Sequence, residues 1–278
     1  MEILRTIESY RELYVDLQGP IGLVPTLGGV HEGHLSLVDA AKKDCKTIVS
    51  WLFLNPKQFG PNEDLNSYPA EEKEDISLLD QRGVDILLIP KTIDIYPSDF
   101  DTVVKLGKIT ELLEGSRRPG HFDGVTTIVS KMFNIIQPDR AYFGEKDAQQ
   151  LRVIQKMVKD LNFPVEIISC PTVRDNDGLA LSSRNKYLSI VERNDALSLY
   201  QGLYNAKASF ENGERNADIV RNVVIQEIKK SPLITIDYVS LSDPLSLVEI
   251  SGKITPPALL SLAVHIGKTH LIDNVLLE

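Results

Sequence analysis

The sequence predicts an α/β fold: a doubly wound, Rossmann-like parallel sheet followed by a second, smaller α+β C-terminal domain. Three observations lead there. Up to Cys170, short apolar runs bounded by turns alternate with stretches of helical period, the pattern of a sheet covered by helices. One run, residues 47–54 (TIVSWLFL), is almost entirely β-branched, aromatic or leucine, as befits a central strand buried on both faces. After Thr172 the character changes to a polar turn, Asp175-Asn176-Asp177-Gly178, then a long helical tract and three strand-like runs.

Residues 21–25 read as the first strand, and a helix is expected from about His34, where Leu35, Leu37, Val38 and Ala41 form an apolar stripe. Residues 70–82 read as a helix whose acidic first turn suits the helix dipole and whose C-terminal cap is Gly83. Strands are expected at 85–89, 140–143 and 165–169, helices at 125–136 and 147–161, and the later strands at 235–240, 260–266 and 270–276. The 42% hydrophobic content of 278 residues is ample for a packed core.

A formal net charge of −9 argues against a nucleic-acid surface, which needs a clustered excess of Lys and Arg. The opening Met1-Glu2-Ile3-Leu4-Arg5 lacks a signal peptide's basic start and apolar stretch, and the longest apolar runs are strand-length. The expectation is a soluble cytoplasmic protein with no membrane partner. Cys45 and Cys170 show neither CxxC spacing nor a neighbouring His, so both read as small buried hydrophobes.

Five segments carry candidate chemistry. Leu27, Gly28, Gly29, Val30, His31, Glu32, Gly33 and His34 sit where the first strand turns into the first helix. In a doubly wound sheet that end binds ligands, and backbone N–H groups at a helix N-terminus attract phosphate. The segment is neither GxGxxG nor GxxxxGK[ST], and H-E-G-H lacks the HExxH zinc spacing. Arg117-Arg118-Pro119-Gly120-His121 is a basic loop suited to an anion. Gly144, Glu145, Lys146, Asp147 and Gln150 enter a helix from another strand end, where lysine can neutralise triphosphate and Asp147 can accept ribose hydroxyls. Leu181, Ser182, Ser183 and Arg184 offer hydroxyls and a guanidinium to a departing pyrophosphate. Gln58 follows the second strand. Each segment alone also reads as an ordinary turn, cap or solvated charge; four of the five following strand ends on one face is what chance explains poorly.

The stretches PTLGGVHEGHLSLV, FLNPKQF, RRPGHFDGVTTIVSKMFNIIQPDRAYFGEKDAQQL and DGLALSSRNKYL closely resemble the pantothenate synthetase, or pantoate–β-alanine ligase, family, over about residues 20–190. His31 to His34 also resembles the HIGH signature of the nucleotidyltransferase and class I aminoacyl-tRNA synthetase superfamily, with residues 181–184 in the place of the KMSKS loop. The resemblance implies two half-reactions: pantoate attacks the ATP α-phosphate to give pantoyl adenylate, and β-alanine then displaces AMP. It assigns ATP to residues 27–34 and 144–147, Val173 and 181–184, and pantoate to Gln58 and Gln150. It makes His34 the proton donor, with His31, Lys146, Ser182, Ser183 and Arg184 stabilising pyrophosphate. Mg²⁺ rides on the phosphates, so no dedicated metal site is expected. Residues 1–174 become a nucleotide- and pantoate-binding domain and 175–278 a lid hinged at the Asp175 turn, in a homodimer formed through the first domain. Leu27, Gly29, Val30 and Ala148 depart from the family's commoner Met, Ala or Asn, Leu and aromatic residue.

Two rival readings remain at this level. A nucleotidyltransferase would adenylylate a phosphorylated substrate in one step, and a non-catalytic sensor would bind ATP without turnover. The neutral Gln58 and Gln150 disfavour the first and the full set of histidines, lysine and SSR triplet disfavours the second.

Overall fold

The computed structural model describes residues 1–278. The chain opens with β1 (Glu2–Leu4) and α1 (Ile7–Tyr14), then β2 (Ile21–Thr26), α2 (Glu32–Asp44), β3 (Thr47–Leu52), α3 (Glu72–Arg82), β4 (Ile86–Leu88) and the short α4 (Thr92–Ile95). It continues through α5 (Leu113–Arg117), α6 (His121–Ile136), β5 (Arg140–Gly144), α7 (Ala148–Leu161) and β6 (Glu166–Cys170). These six strands form one sheet in the order β1-β4-β3-β2-β5-β6, every pairing parallel. Winding proceeds outward from β2 through β3 to β4, then resumes on β2's other side with β5. The switch point between β2 and β5 leaves a crevice beyond their carboxyl ends.

Alternate residues of the central strands feed opposite faces. Leu23, Val49 and Trp51 join the core beneath α1, α6 and α7, whereas Val24, Ile48 and Leu52 join the core beneath α2 and α3. Each such buried side chain contributes roughly 1.5–3 kcal/mol, so the strand ends that carry the polar loops rest on a rigid base. All six residues of β3 are buried.

The remaining chain forms the expected smaller α+β unit. α8 (Ile190–Glu211) and α9 (Ala217–Ile228) cover an antiparallel sheet of β7 (Ile234–Ser242), β8 (Ala258–Ile266) and β9 (Thr269–Leu277) around a core of their own. Ser189 and Glu192 start α8 with a reciprocal capping box. No helix is long and apolar enough to cross a membrane.

Several details differ from the sequence reading. β1 and α1 carry too short an apolar signal to be anticipated, although Tyr10 is fully buried and its hydroxyl donates to the Ile136 carbonyl. α6 begins at His121 rather than 125, because Gly120 adopts a left-handed conformation (φ 83°) that turns the loop directly into the helix. A Cβ at Gly124 would collide with the Lys57 carbonyl; this glycine lets α6 press against the turn that carries Gln58. Gly83 caps α3 as anticipated, at φ 87°. Cys170 is buried, but Cys45 is only half-buried, its sulfur 3.4 Å from the Tyr142 hydroxyl.

The turn at 175–178 is fastened to the second unit. Arg193 of α8 pairs with Asp175 and Asp177, and Gly178 packs against Tyr200. Just before it, Arg174 makes a bidentate pair with Asp273 of β9 at 2.6 and 2.8 Å.

Candidate active site

The first wall of the cleft is the β2–α2 connection. Thr26 Oγ1 accepts the Gly28 N–H, while Asp75 of α3, itself buried, accepts the Gly29 and Val30 N–H groups at 3.0 and 2.7 Å. The loop is thus held from behind. Gly29 has φ +64° and sits so tightly against the Pro69 carbonyl and Ser183 that a side chain would have to displace them.

His31 is the N-cap of α2. Its Nδ1 accepts the Gly33 N–H at 3.1 Å, and His34 Nδ1 accepts the His31 N–H at 3.4 Å. The rings lie 4.2 Å apart, centroid to centroid. Because both Nδ1 atoms accept, the proton of each neutral ring resides on Nε2. Burial, reinforced for His31 by Lys146 and for His34 by His31 and then Lys146, lowers His31 to about 4 and His34 to about 3. At neutral pH the cleft therefore presents two uncharged imidazoles, each with an N–H to donate.

The second wall follows β5. Gly144 leads into a single 3₁₀ turn, Glu145–Asp147, before α7. Asn274 of β9 donates its side-chain amide to the carbonyls of Glu145 and Lys146 at 3.0 and 2.9 Å, which fixes the backbone from which Lys146 projects. The third wall is the SSR segment. Ser182 caps a 3₁₀ turn, and Ser183 donates to the Gly29 carbonyl at 3.1 Å while receiving the Tyr68 hydroxyl at 3.3 Å. Arg184 grips Asp64 with two bonds of 2.9 and 2.8 Å.

These walls enclose a cavity of ≈ 230 Å³. Val125, Ile128, Val129 and Met132 of α6 give it an apolar lining, and Gln58 and Gln150 also line it. Gln58 is buried and accepts from the Asn55 amide at 3.0 Å. Its neighbour in sequence type, Gln149, turns away to hold the Ile109 and Leu112 carbonyls.

Of the anticipated site residues, Leu27, His31, Gly33, His34, Gln58, Gly144, Lys146, Asp147, Gln150, Val173, Leu181, Ser182, Ser183 and Arg184 all line this one cavity. Gly28, Gly29 and Val30 do not; the expectation that their N–H groups lie open to phosphate differs from the structure, where Thr26 and Asp75 already use them. Glu32 points outward and pairs with Arg82, and Glu145 is exposed. Among the lining residues that were not expected contacts are Tyr68, Arg118 and His121. The last two lie in the basic loop already singled out, whose two arginines diverge. Arg118 binds Glu63 in the cleft, whereas Arg117 pairs with Asp237 of β7. Tyr68 lies in a polar segment without any motif signal.

A parallel sheet whose strand ends gather two imidazoles, a lysine and a serine-arginine loop around one crevice defines an ATP-using enzyme of the nucleotidyltransferase and class I aminoacyl-tRNA synthetase-like superfamily. The chain belongs within it to the pantoate-beta-alanine ligase family, whose model matches residues 2–276. It is 50% identical over 281 residues to a pantothenate synthetase of Moorella thermoacetica, covering 100% of this chain and 99% of that one. The crystal structure of pantothenate synthetase from Thermus thermophilus superposes with a TM-score of 0.94 at 40% identity, over 99% of both chains. That of the Francisella tularensis pantoate-beta-alanine ligase, complexed with beta-gamma ATP and beta-alanine, gives 0.83 at 35% identity, over 99% of this chain and 97% of that one.

Proposed function

We infer that the chain is an ATP-dependent ligase that condenses pantoate with β-alanine to pantothenate through a pantoyl adenylate, releasing pyrophosphate and AMP. The observation that carries the residue-level reading is the convergence of His31, His34, Lys146 and the SSR segment on the same cavity as two glutamines and the apolar side chains of α6. The histidines, the lysine and the SSR segment suit a triphosphate. The two glutamines and the α6 side chains suit a small hydroxy acid, since neutral amides hydrogen-bond hydroxyl and carboxylate oxygens without charge and the apolar side chains meet methyl groups.

Adenylation brings a carboxylate against the α-phosphate, so the protein must offset anion–anion repulsion and hold the two in line. Lys146 supplies positive charge in the cleft. Arg184 reaches the phosphates by exchanging Asp64 for them, and Ser182 and Ser183 add hydroxyl donors. His31 and His34 donate from Nε2. Burial, with Lys146 beside them, holds both rings neutral; a bound triphosphate adds negative charge that favours uptake of a solvent proton by His34, and the resulting imidazolium donates it from Nε2 as charge builds on the departing pyrophosphate. β-Alanine's amine afterwards attacks the acyl carbon and AMP leaves. Mg²⁺ enters as part of the nucleotide: Asp147 is the cavity's one lining carboxylate, which suits an ion held chiefly by phosphates and water.

The same reading divides the chain into a 1–174 nucleotide- and pantoate-binding domain and a 175–278 lid, and extends to a cytoplasmic homodimer joined through the first domain. Because Arg193 and Tyr200 hold the 175–178 turn to the lid, the turn moves with the lid instead of flexing as the expected hinge, and closure excludes water from the adenylate. The test is pyrophosphate and AMP release from ATP, Mg²⁺ and pantoate, with and without β-alanine, with pantothenate followed by mass spectrometry. Pantoate-dependent pyrophosphate is expected, with AMP and pantothenate appearing only once β-alanine is added. ATP binding without pyrophosphate release on any hydroxy acid would overturn the reading.

A further inference from the structure

We propose that Asp237, His265 and His270 form a binding site for a divalent transition-metal ion, best matched to Zn²⁺, on the second sheet and outside the cleft. The three residues come from three adjacent strands. His265 and His270 face each other directly across the β8–β9 pair, brought there by a two-residue turn in which Gly267 has φ 57°. Asp237 is the extra residue of a bulge between Ile236 and Tyr238 of β7, and a bulge re-aims a side chain.

The donor geometry is close to what an ion requires. The ligand atoms of all three residues lie within 4.8 Å of one another, and Asp237 Oδ2 is 3.7 Å from His270 Nε2. Donors on a tetrahedral zinc stand roughly 3.3 Å apart, given bonds of about 2.0–2.1 Å; small side-chain rotations close the difference. Nε2 of His270 is buried with no hydrogen-bond partner. Packing gives no reason to orphan a ring nitrogen there, whereas a ligand role accounts for it.

The remaining atoms are arranged as supports. Asp237 uses Oδ1 to meet Arg117 Nε at 3.0 Å, leaving Oδ2 for the ion. His270 Nδ1 lies 3.8 Å from the buried Glu114 carboxylate, longer than a hydrogen bond but on the side where a carboxylate supports a metal-bound histidine once the ring turns toward it. His265 is exposed, so the fourth coordination position opens to solvent and accepts water. Two imidazoles and one carboxylate select a borderline-soft ion over Mg²⁺ or Ca²⁺, which prefer oxygen.

The experiment is calorimetric titration of the chelator-treated, full-length protein with Zn²⁺ in the absence of nucleotide, repeated with Co²⁺ as a visible-absorption probe. One equivalent should bind saturably in the micromolar range, with the intense absorption of tetrahedral Co²⁺ and a rise in Tm on adding Zn²⁺. His265→Asn, an exposed change that leaves the fold in place, should weaken binding by about tenfold or more. His34→Asn should leave this equivalent untouched. Absence of saturable binding, or an equivalent retained in His265→Asn and lost in His34→Asn, would overturn the proposal. Pantothenate formation by the chelator-treated protein with Mg²⁺, assayed in parallel, tests the ligase reading separately, since the metal site neither requires that reading nor is required by it.

Discussion

The molecule contains two histidine pairs with nearly the same internal geometry and opposite surroundings. His31 and His34 have ring centroids 4.2 Å apart at 43°, and His265 and His270 stand 4.6 Å apart at 33°. The first pair fills both Nδ1 atoms with backbone N–H groups and faces Lys146. The second pair stands among Asp237 and Glu114 and leaves a ring nitrogen unpaired. An imidazole's role is thus set by its company: the first arrangement offers N–H donors to an anion, the second offers lone pairs to a cation.

The sharpest way to break this contrast is His34→Ala. Adenylate formation, read as pantoate-dependent pyrophosphate release, should fall by about 10²–10⁴, with circular dichroism and Tm close to the parent. Near-normal turnover would remove His34 from the chemistry. Asp75→Ala attacks the support of the same pair from behind. It strands two buried N–H groups and should cost about 2–4 kcal/mol in a urea titration, with a loss of turnover larger than the loss of folded protein explains; an unchanged midpoint would mean water replaces the carboxylate.

pH gives a smaller effect with a fixed sign. His31 and His121 at about 4 and His34 at about 3 all lie below the 6.5 of an exposed histidine. As pH falls through 6.5 the unfolded chain takes up protons that the folded chain refuses. Their contribution is therefore full above that value and is lost toward pH 4, by up to about 1.4 kcal/mol per pH unit for each group. Tm measured from about pH 7 to about pH 5 should drop, and the slope should flatten in His121→Asn; an equal slope in that variant would refute the assignment. The smallest effect closes the comparison: His265→Asn should leave kcat and KM within about twofold of the parent, because His265 is exposed and does not line the cleft.

Where the chain's own pattern carried the information, it was legible. Strand-to-helix alternation was enough to place His31, Gln58 and Lys146 on one side of the sheet, since the doubly wound topology leaves a single crevice for such ends, whereas Ser183, past the Asp175 turn, was placed there only through the family resemblance. What stayed hidden depends on contacts distant in sequence. The Gly29 and Val30 N–H groups look available until Asp75, 46 and 45 residues on, is seen to bind them. Tyr68 enters the cleft through a partner 115 residues away, and the divergence of Arg117 from Arg118 is decided by Asp237 and Glu63. β1 was missed because three residues at a sheet edge give no periodicity to read.

The bonds from Asn274 to the carbonyls of Glu145 and Lys146 span 129 and 128 residues, and this bears on the order in which the molecule is assembled. During synthesis the parallel sheet and both histidines emerge long before β9. The lysine turn then lacks the strand that sets its backbone, and loop-closure entropy delays so distant a contact. An incomplete chain can acquire most of its core while its lysine still swings freely. The last strand thus ties the second sheet to the turn that carries Lys146, and the geometry of that turn is complete only when β9 is in place.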